Sequence, residues 1–207
     1  MVDAFAVLSE PRRPWVDIEV LKVRFREFSS PFHPDRLNSA TPEAQAEASS
    51  RYAELNSAYN QLREHRERLP LLLQLESGQP PRDIQRIPPG TMDLFVEVGQ
   101  ACRDCDAFLP RLKAAISPML KLQIMREGLE WTDRLQQLQA KVNETQKAFE
   151  TELRNMNPIW ESAPAVGDPA RAAALPLERM EQLYRGLSYV ARWTEQLQER
   201  ILQLAIG

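Results

Sequence analysis

Helical periodicity interrupted by prolines is the feature that most limits what this chain can fold into. Glycine is scarce, with 7 residues, whereas the 16 prolines fall mainly between stretches that carry apolar residues every three or four positions. Proline lacks a backbone N–H and restricts φ, so it tends to separate helices. No alternating pattern long enough to indicate a strand is visible. The sequence therefore predicts an all-α protein.

Two amphipathic helices are predicted in the N-terminal third of the chain. The first spans about residues 16–30, and its apolar side chains share one face: Ile18, Leu21, Phe25 and Phe28. The second starts at Pro42 with Thr41 as a candidate N-cap. A short apolar segment around Phe5 could form a small extra helix that crosses this hairpin. The loop over residues 31–40 joins the two main helices.

A proline-rich segment over residues 76–90 predicts the boundary between two domains. Four of its residues are prolines, each of which fixes φ and removes a helix donor. We therefore expect residues 1–75 to form a helical hairpin domain. Residues 91–207 are expected to form a C-terminal helical domain.

Three further helices are predicted in this C-terminal part, over about residues 92–115, 119–156 and 177–204. Their apolar residues recur at steps of three and four, as in helix bundles. Pro158 is expected to end the second of these helices. The connection over residues 159–176 is rich in alanine, proline and glycine, so it is expected to be mobile. Together the patterns predict an antiparallel three-helix bundle.

Composition argues against several classes of partner. The formal net charge is -3, so the chain lacks the positive field that non-specific nucleic-acid binding requires. The longest apolar run, around Leu71, is far too short to cross a bilayer. No secretory signal pattern is visible and only two cysteines are present, which favours a reduced, cytoplasmic setting. We expect neither nucleic acid nor a membrane as a partner.

The loop between the N-terminal helices carries the most informative motif, His33-Pro34-Asp35. Pro34 biases His33 toward an extended conformation, so the loop can present an imidazole and a carboxylate at the hairpin tip. The carboxylate can accept a bidentate bond from a partner arginine. On the preceding helix, Lys22 and Arg26 lie four residues apart and form a basic stripe suited to an acidic surface. The alternative is an ordinary Asx-type turn beside a solvated helix face.

The residues around this loop resemble the J domain of DnaJ-like co-chaperones. The matching segments are Phe32-His33-Pro34-Asp35-Arg36 and Leu55-Asn56-Ser57-Ala58-Tyr59-Asn60-Gln61-Leu62. The resemblance implies that the loop binds the ATPase domain of a DnaK-type chaperone and couples client delivery to ATP hydrolysis. The residues assigned to this chaperone interface are Lys22, Arg26, His33, Pro34, Asp35 and Arg36. Pro31 and Phe32 replace the basic residue and tyrosine that commonly precede the motif.

Beyond the hairpin, the chain resembles the HscB-type co-chaperones of iron–sulfur cluster assembly. An arginine-rich turn over residues 63–68 leads into a leucine-rich stretch and Gly78, and residues 92–98 resemble the start of that family's C-terminal bundle. The resemblance implies an all-α fold and a scaffold protein of cluster assembly as the client.

In that family, apolar and acidic residues on the first C-terminal helix hold the scaffold protein. The residues at matching positions are Met92, Val96 and Glu97, while Gln100 stands where an acidic residue is common. Met92 and Val96 also flank the apolar seam of the helix. An ordinary core role therefore remains open for both.

Cys102 and Cys105 form a Cys-x-x-Cys pattern, a spacing found in metal and redox sites. Both fall on the apolar seam, and the two histidines, His33 and His65, are poorly placed to complete a metal site. Burial as small apolar residues is therefore expected. No glycine-rich phosphate loop and no Cys–His catalytic arrangement is visible. We expect no enzymatic activity and no cofactor, with ATP bound by the chaperone partner.

Three hypotheses about function remain open after the sequence analysis. The leading hypothesis is a co-chaperone that brings an iron–sulfur scaffold protein to a DnaK-type chaperone and triggers ATP hydrolysis there. The second is a J-domain co-chaperone that serves a different client. The third is a helical assembly factor whose J-like hairpin is inert.

Overall fold

The computed structural model describes residues 2–33, 41–81, 87, 90–114 and 117–206, and these residues form helices without any strand. The helices are α1 (Ala4–Val7), α2 (Ile18–Ser29), α3 (Pro42–Arg63), α4 (His65–Ser77), α5 (Met92–Ala114), α6 (Pro118–Ser162), α7 (Arg171–Ala174) and α8 (Leu177–Ile206). A 3₁₀ turn over Ser30–Phe32 follows α2. The all-α prediction is confirmed.

The chain divides into two compact units that alternate along the sequence. Unit 1 comprises Met1–Asp83 and Glu152–Tyr184, and unit 2 comprises Ile84–Thr151 and Arg185–Gly207. The division expected from the sequence is sequential, with a linker over residues 76–90. The domain boundary over residues 76–90 stays a prediction.

In unit 1, α2 and α3 form the expected helical hairpin. Phe25 of α2 stacks on Tyr59 of α3 with ring centroids 4.7 Å apart. The Asp17 side chain caps α2, and the Thr41 hydroxyl caps α3 by accepting from the backbone N–H of Ala44. The small helix α1 packs on α3. The buried apolar residues of this hairpin and of α4 include Leu21, Leu55, Leu62, Leu69 and Leu72.

The prediction that Pro158 ends the second long helix is wrong, because α6 continues to Ser162. An interior proline costs a helix about 3 kcal/mol through its lost N–H and its steric clash. Met156 and Trp160, on either side of Pro158, are 7% and 3% exposed, and Leu153 is fully buried. Burial of a side chain of this size stabilises by roughly 1.5–3 kcal/mol, so burial of Trp160, which lies beyond the proline, offsets most of that cost.

The connection between α6 and α8 is mostly exposed but is anchored at two buried residues, which corrects the expectation that the whole segment is mobile. It contains the short helix α7, and Leu175 after it is 6% exposed. Arg171 in α7 is 7% exposed and forms two hydrogen bonds, of 2.8 and 2.9 Å, with the carboxylate of Glu76 at the end of α4. Because Glu76 lies 95 positions earlier in the chain, composition alone could not reveal this contact.

Unit 2 is an antiparallel three-helix bundle built from α5 and from parts of α6 and α8, as predicted. The buried core draws on all three helices and includes Val98, Cys105, Leu135, Val142, Val190, Trp193 and Leu197. At Gly186, a Cβ atom would lie 2.5 Å from the Cε2 atom of Phe149. The glycine therefore permits a close approach between α6 and α8.

Candidate chaperone and client interfaces

His33 follows the 3₁₀ turn after α2 and is exposed. Its backbone is extended, with φ -67° and ψ 133°, as expected for a residue that precedes a proline. Its ring lies edge-on to that of Tyr52 in α3, with centroids 5.9 Å apart and an angle of 88° between planes. The His33 imidazole is thus held in place by a contact with Tyr52 of α3, the second helix of the hairpin. Pro34, Asp35 and Arg36, assigned to the same interface, lie outside the described residues.

The structure places Lys22 and Arg26 on the outer side of α2. The Lys22 side chain is 41% exposed with its Nζ 3.8 Å from the Glu19 carboxylate, and Arg26 is exposed. Val20 and Val23 are also about half exposed on this helix. The two valines are not among the residues predicted from the sequence, because only charged residues were considered outside the apolar face of α2. The outer side of α2 is therefore basic with an apolar component.

A buried guanidinium holds the turn between α3 and α4. Arg68, from the arginine-rich turn that resembles the HscB family, has 0% exposure. Its Nε donates to the carbonyl of Pro14 at 3.1 Å, its Nη1 donates to the carbonyl of Leu62, and its Nη2 lies 2.6 Å from Nδ1 of His65. A buried charge is costly unless it is hydrogen-bonded. Arg68 therefore joins α3, α4 and the segment before α2, and it supports the hairpin instead of contacting a partner.

Met92 and Val96 are exposed on the first turns of α5. Their exposures of 53% and 57% show that the alternative of ordinary core roles is wrong. Phe95 between them is 39% exposed, and its ring lies edge-on to that of Tyr189 in α8 at 6.3 Å. We call Met92, Phe95, Val96 and Tyr189 the α5 patch. Clustered exposed apolar side chains are typical of protein-binding surfaces.

Neither Phe95 nor Tyr189 is among the client-binding residues predicted from the sequence. Their contact joins two helices that are distant in sequence, so periodicity within either helix does not reveal it. The sequence of α8 contains one indication of this surface, which is the spacing of three residues between Tyr189 and Arg192. In the structure, the Arg192 guanidinium lies 4.6 Å from the centroid of the Tyr189 ring. This pair extends the α5 patch with a polar edge.

Glu97, the acidic residue assigned to the client interface, is exposed but already has an ion-pair partner. Its Oε1 lies 2.6 Å from Nζ of Lys141 in α6, and the two side chains are 48% and 56% exposed. Gln100, one turn later, donates to the carboxylate of Asp104 at 2.6 Å. The negative charge of Glu97 is therefore already balanced by Lys141 within the chain.

Cys102 and Cys105 are buried, as predicted, with exposures of 7% and 0%. Burial raises the pKa of both thiols, so they stay protonated at neutral pH and are poor nucleophiles. Within the described ranges, no group of three or more His, Cys, Asp and Glu residues is arranged to hold a metal ion. None of the helices that the structure describes has the length and apolar character of a membrane span.

The structure thus combines a helical hairpin that has an exposed histidine after its first helix with a three-helix bundle in the same chain. No protein-family model matches the sequence. Two solved structures share its fold over nearly the whole chain. They are the chaperone HscB from Vibrio cholerae and the human co-chaperone protein HscB.

The Vibrio cholerae protein is 18% identical to this chain, with a TM-score of 0.61 over 98% of this chain and 99% of that one. The human protein is 16% identical, with a TM-score of 0.60 over 96% of this chain and 81% of that one. The chain thus has the HscB fold. The fold expected from the sequence resemblance is confirmed.

Proposed function

We propose that this chain is a co-chaperone that stimulates the ATPase of a DnaK-type chaperone and delivers to it a scaffold protein of iron–sulfur cluster assembly. The observation that carries the proposal is the exposed, extended His33 beyond α2, in a chain that shares the HscB fold over 98% of its length. In this proposal the chaperone binds and hydrolyses ATP, and this chain supplies contacts only.

The chaperone contact combines charge attraction with a small buried area. Lys22 and Arg26 attract an acidic surface and raise the rate of encounter. Val23, three residues before Arg26 on α2, can then be buried beside it. His33, held by its contact with Tyr52, presents a hydrogen-bonding ring to the ATPase domain. Stimulation requires that these contacts be stronger in the hydrolysis-competent state of the chaperone than in its resting state.

The client contact is proposed at the α5 patch, where three exposed apolar side chains of α5 lie beside the half-buried Tyr189 of α8. Interface energy usually concentrates in a few such anchors, with aromatic residues prominent among them. Glu97 is exposed on the same helix, and a basic residue of the client can replace Lys141 as its ion-pair partner.

The proposal is tested by measuring ATP turnover of a DnaK-type chaperone with the chain, the scaffold protein, both, or neither. We expect stimulation by the chain, and a larger effect when both are present, because linked binding raises the effective concentration of the client. Stimulation that does not respond to the scaffold would identify a co-chaperone with a different client. No stimulation would identify an inert hairpin.

One observation favours a different client, which is the reduced negative charge of α5 near the α5 patch. Glu97 is paired with Lys141, and Gln100 replaces a common acidic residue of the family. A client held here would rely on apolar contact more than on charge. Identifying the proteins that co-purify with the chain from a cell extract would separate the two clients.

Reversal of both Lys22 and Arg26 to glutamate is expected to weaken chaperone binding about tenfold or more at low salt, mainly through the association rate. The loss should shrink as salt rises, because exposed charges are screened. Association and dissociation rates at two salt concentrations check this result. A matched control reverses Lys121 and Lys147, which are exposed in unit 2. Equal losses in both variants would show that only net charge matters.

Replacement of both Met92 and Val96 by alanine is expected to weaken client binding by roughly 1–3 kcal/mol. Thermal stability should barely change, because both side chains are more than half exposed. Scaffold titration and thermal unfolding of the same variant check both statements. The buried Val98→Ala, on the same helix, serves as the control and should cost on the order of 1–2 kcal/mol of stability. Unchanged scaffold binding by the double variant would remove Met92 and Val96 from the interface.

A further inference from the structure

Trp15 lies in the irregular segment between α1 and α2, and both of its backbone hydrogen-bonding groups are held by one side chain. Its N–H donates to Oδ1 of Asn157 at 3.0 Å, and its carbonyl accepts from Nδ2 of Asn157 at 2.9 Å. An amide side chain can do both because it carries a donor and an acceptor, as a peptide group does. Asn157 belongs to α6 and lies 142 positions later in the chain.

The ring of Trp15 is held as well. The guanidinium of Arg154, one turn before Asn157 on α6, lies 4.6 Å from the centroid of this ring, and the His65 ring lies 5.3 Å from it. The preceding carbonyl, of Pro14, accepts from Nε of Arg68 in α4. We call the contacts of Trp15 with Arg154 and Asn157 the Trp15 clasp.

The Trp15 clasp lies directly before α2. Val16, the next residue, is 1% exposed. The side chain of Asp17 then caps the helix by accepting from the backbone N–H groups of Glu19 and Val20, at 2.9 and 3.2 Å. Because only Val16 separates the clasped residue from the cap, the position of Trp15 determines where α2 begins.

The segment Glu152–Tyr184, which supplies the clasp, also belongs to unit 1 through α4. Leu71, Leu72 and Leu73 of α4 are 4%, 0% and 4% exposed. Successive residues of a helix point about 100° apart, so these three leucines are covered over about 200° of the helix circumference. The helix packs on α3 and also on α7. The segment therefore packs on the N-terminal part of the chain at α4 as well as at Trp15.

We propose that the Trp15 clasp positions α2 for its contact with the chaperone, which makes Asn157 a positioning residue for ATPase stimulation. The inference rests on the proposed function, in which Lys22 and Arg26 of α2 meet the chaperone. When the clasp is lost, the start of α2 is no longer fixed, although Phe25 still holds the later part of the helix through its stack on α3.

A loosened α2 is competent to bind for only part of the time. The apparent Kd then rises in inverse proportion to the competent fraction. The stimulated rate at saturation stays the same, because the helix that is finally bound is the same. Loss of the clasp is therefore expected to change the concentration needed for stimulation and to leave the maximum rate unchanged.

Asn157→Ala in the full chain tests this expectation. The concentration for half-maximal stimulation of a DnaK-type ATPase should rise about threefold or more, with the same maximum. Hydrogen exchange of the Glu19, Val20 and Leu21 amides should become about tenfold faster, because the start of α2 opens more often. Loss of the two hydrogen bonds without any effect on α2 would change the Trp15 amide alone. Asn143→Ala, at an exposed asparagine of the same helix, serves as the control and should match the wild type.

Arg154→Ala is a second variant that removes only the contact with the Trp15 ring. Arg154 is exposed, so the variant should fold, and a cation–π contact of this kind predicts shifts of about two- to fivefold in both measurements. This variant decides the matter if Asn157→Ala does not fold.

A folded Asn157→Ala variant with the stimulation curve of the wild type overturns the positioning role and leaves the proposed function intact. Unchanged exchange at Glu19, Val20 and Leu21 also overturns it, as does a lower maximum rate at an unchanged half-stimulating concentration. A wild type that does not stimulate the chaperone would instead overturn the proposed function itself.

Discussion

A His33→Gln variant is expected to stay folded and to lose at least nine-tenths of its stimulation of a DnaK-type ATPase. His33 is exposed, so no core packing depends on it. Glutamine keeps a polar side chain but lacks the ring that lies edge-on to Tyr52, so its amide is not held in place as the imidazole is. A tenfold loss of stimulated rate corresponds to about 1.4 kcal/mol of lost stabilisation. The measurement is single-turnover ATP hydrolysis by the chaperone at saturating co-chaperone.

Two further variants test whether the loss of stimulation is specific to the His33-Pro34-Asp35 motif. Asp35→Asn removes the carboxylate of the same motif and should have the same effect. Glu43→Gln neutralises an exposed carboxylate in the first turn of α3 and should stimulate as the wild type does. A folded His33→Gln variant with undiminished stimulation would rule out the J-domain assignment.

Glu76→Gln is expected to lower the free energy of unfolding by roughly 3–5 kcal/mol. The Glu76 side chain is 2% exposed and accepts two hydrogen bonds from Arg171, whose side chain is 9% exposed. Arg12 lies 4.0 Å from the same carboxylate and also binds Asp3 at 2.7 Å. Removal of the negative charge would leave two guanidinium groups facing a neutral amide in a buried site. The unpaired buried charge causes the loss.

The chain offers a matched control for this variant in the same unit. Glu152 also binds an arginine, Arg179, through two hydrogen bonds, of 2.6 and 2.8 Å, but the two side chains are 38% and 43% exposed. Glu152→Gln should therefore cost less than about 1 kcal/mol. Urea unfolding of both variants gives the comparison. Similar losses would show that burial does not set the strength of the Glu76 pair.

Replacement of both members of the buried pair separates the cost of an orphaned charge from the value of the pair itself. Glu76→Leu combined with Arg171→Leu should recover most of the stability lost by Glu76→Gln, because apolar residues of similar volume often replace a buried ion pair without loss. If the double variant is as unstable as Glu76→Gln alone, the pair itself contributes strongly to folding.

The helices of this protein could be predicted because their signals are local. The Thr41 cap, Pro42 at the start of α3 and the periodic apolar residues act within a few positions of one another. Gly78 ends α4 in the left-handed region, with φ 73°, where glycine has no steric penalty. His33 could be found for the same reason, since its motif is contiguous and Pro34 restricts its backbone.

Some helix boundaries could not be predicted, because packing overrides local preference. Pro158 predicts a helix end, yet α6 continues because the residues around it are buried. The segment over residues 159–176 reads as a loose connection, yet the pair between Arg171 and Glu76 fastens it to α4. In each case the deciding contact involves residues far apart in the chain.

The helices, the His33 motif and the resemblance to HscB could be read from the sequence, because each depends on neighbouring residues. Which apolar residues stay exposed depends on contacts between helices. Met92 and Val96 have the periodicity of core residues, and Leu122 and Leu129 have helical spacing that fits either face, but all four are exposed. Periodicity defines a helix face, whereas the position of the other helices determines whether that face is covered.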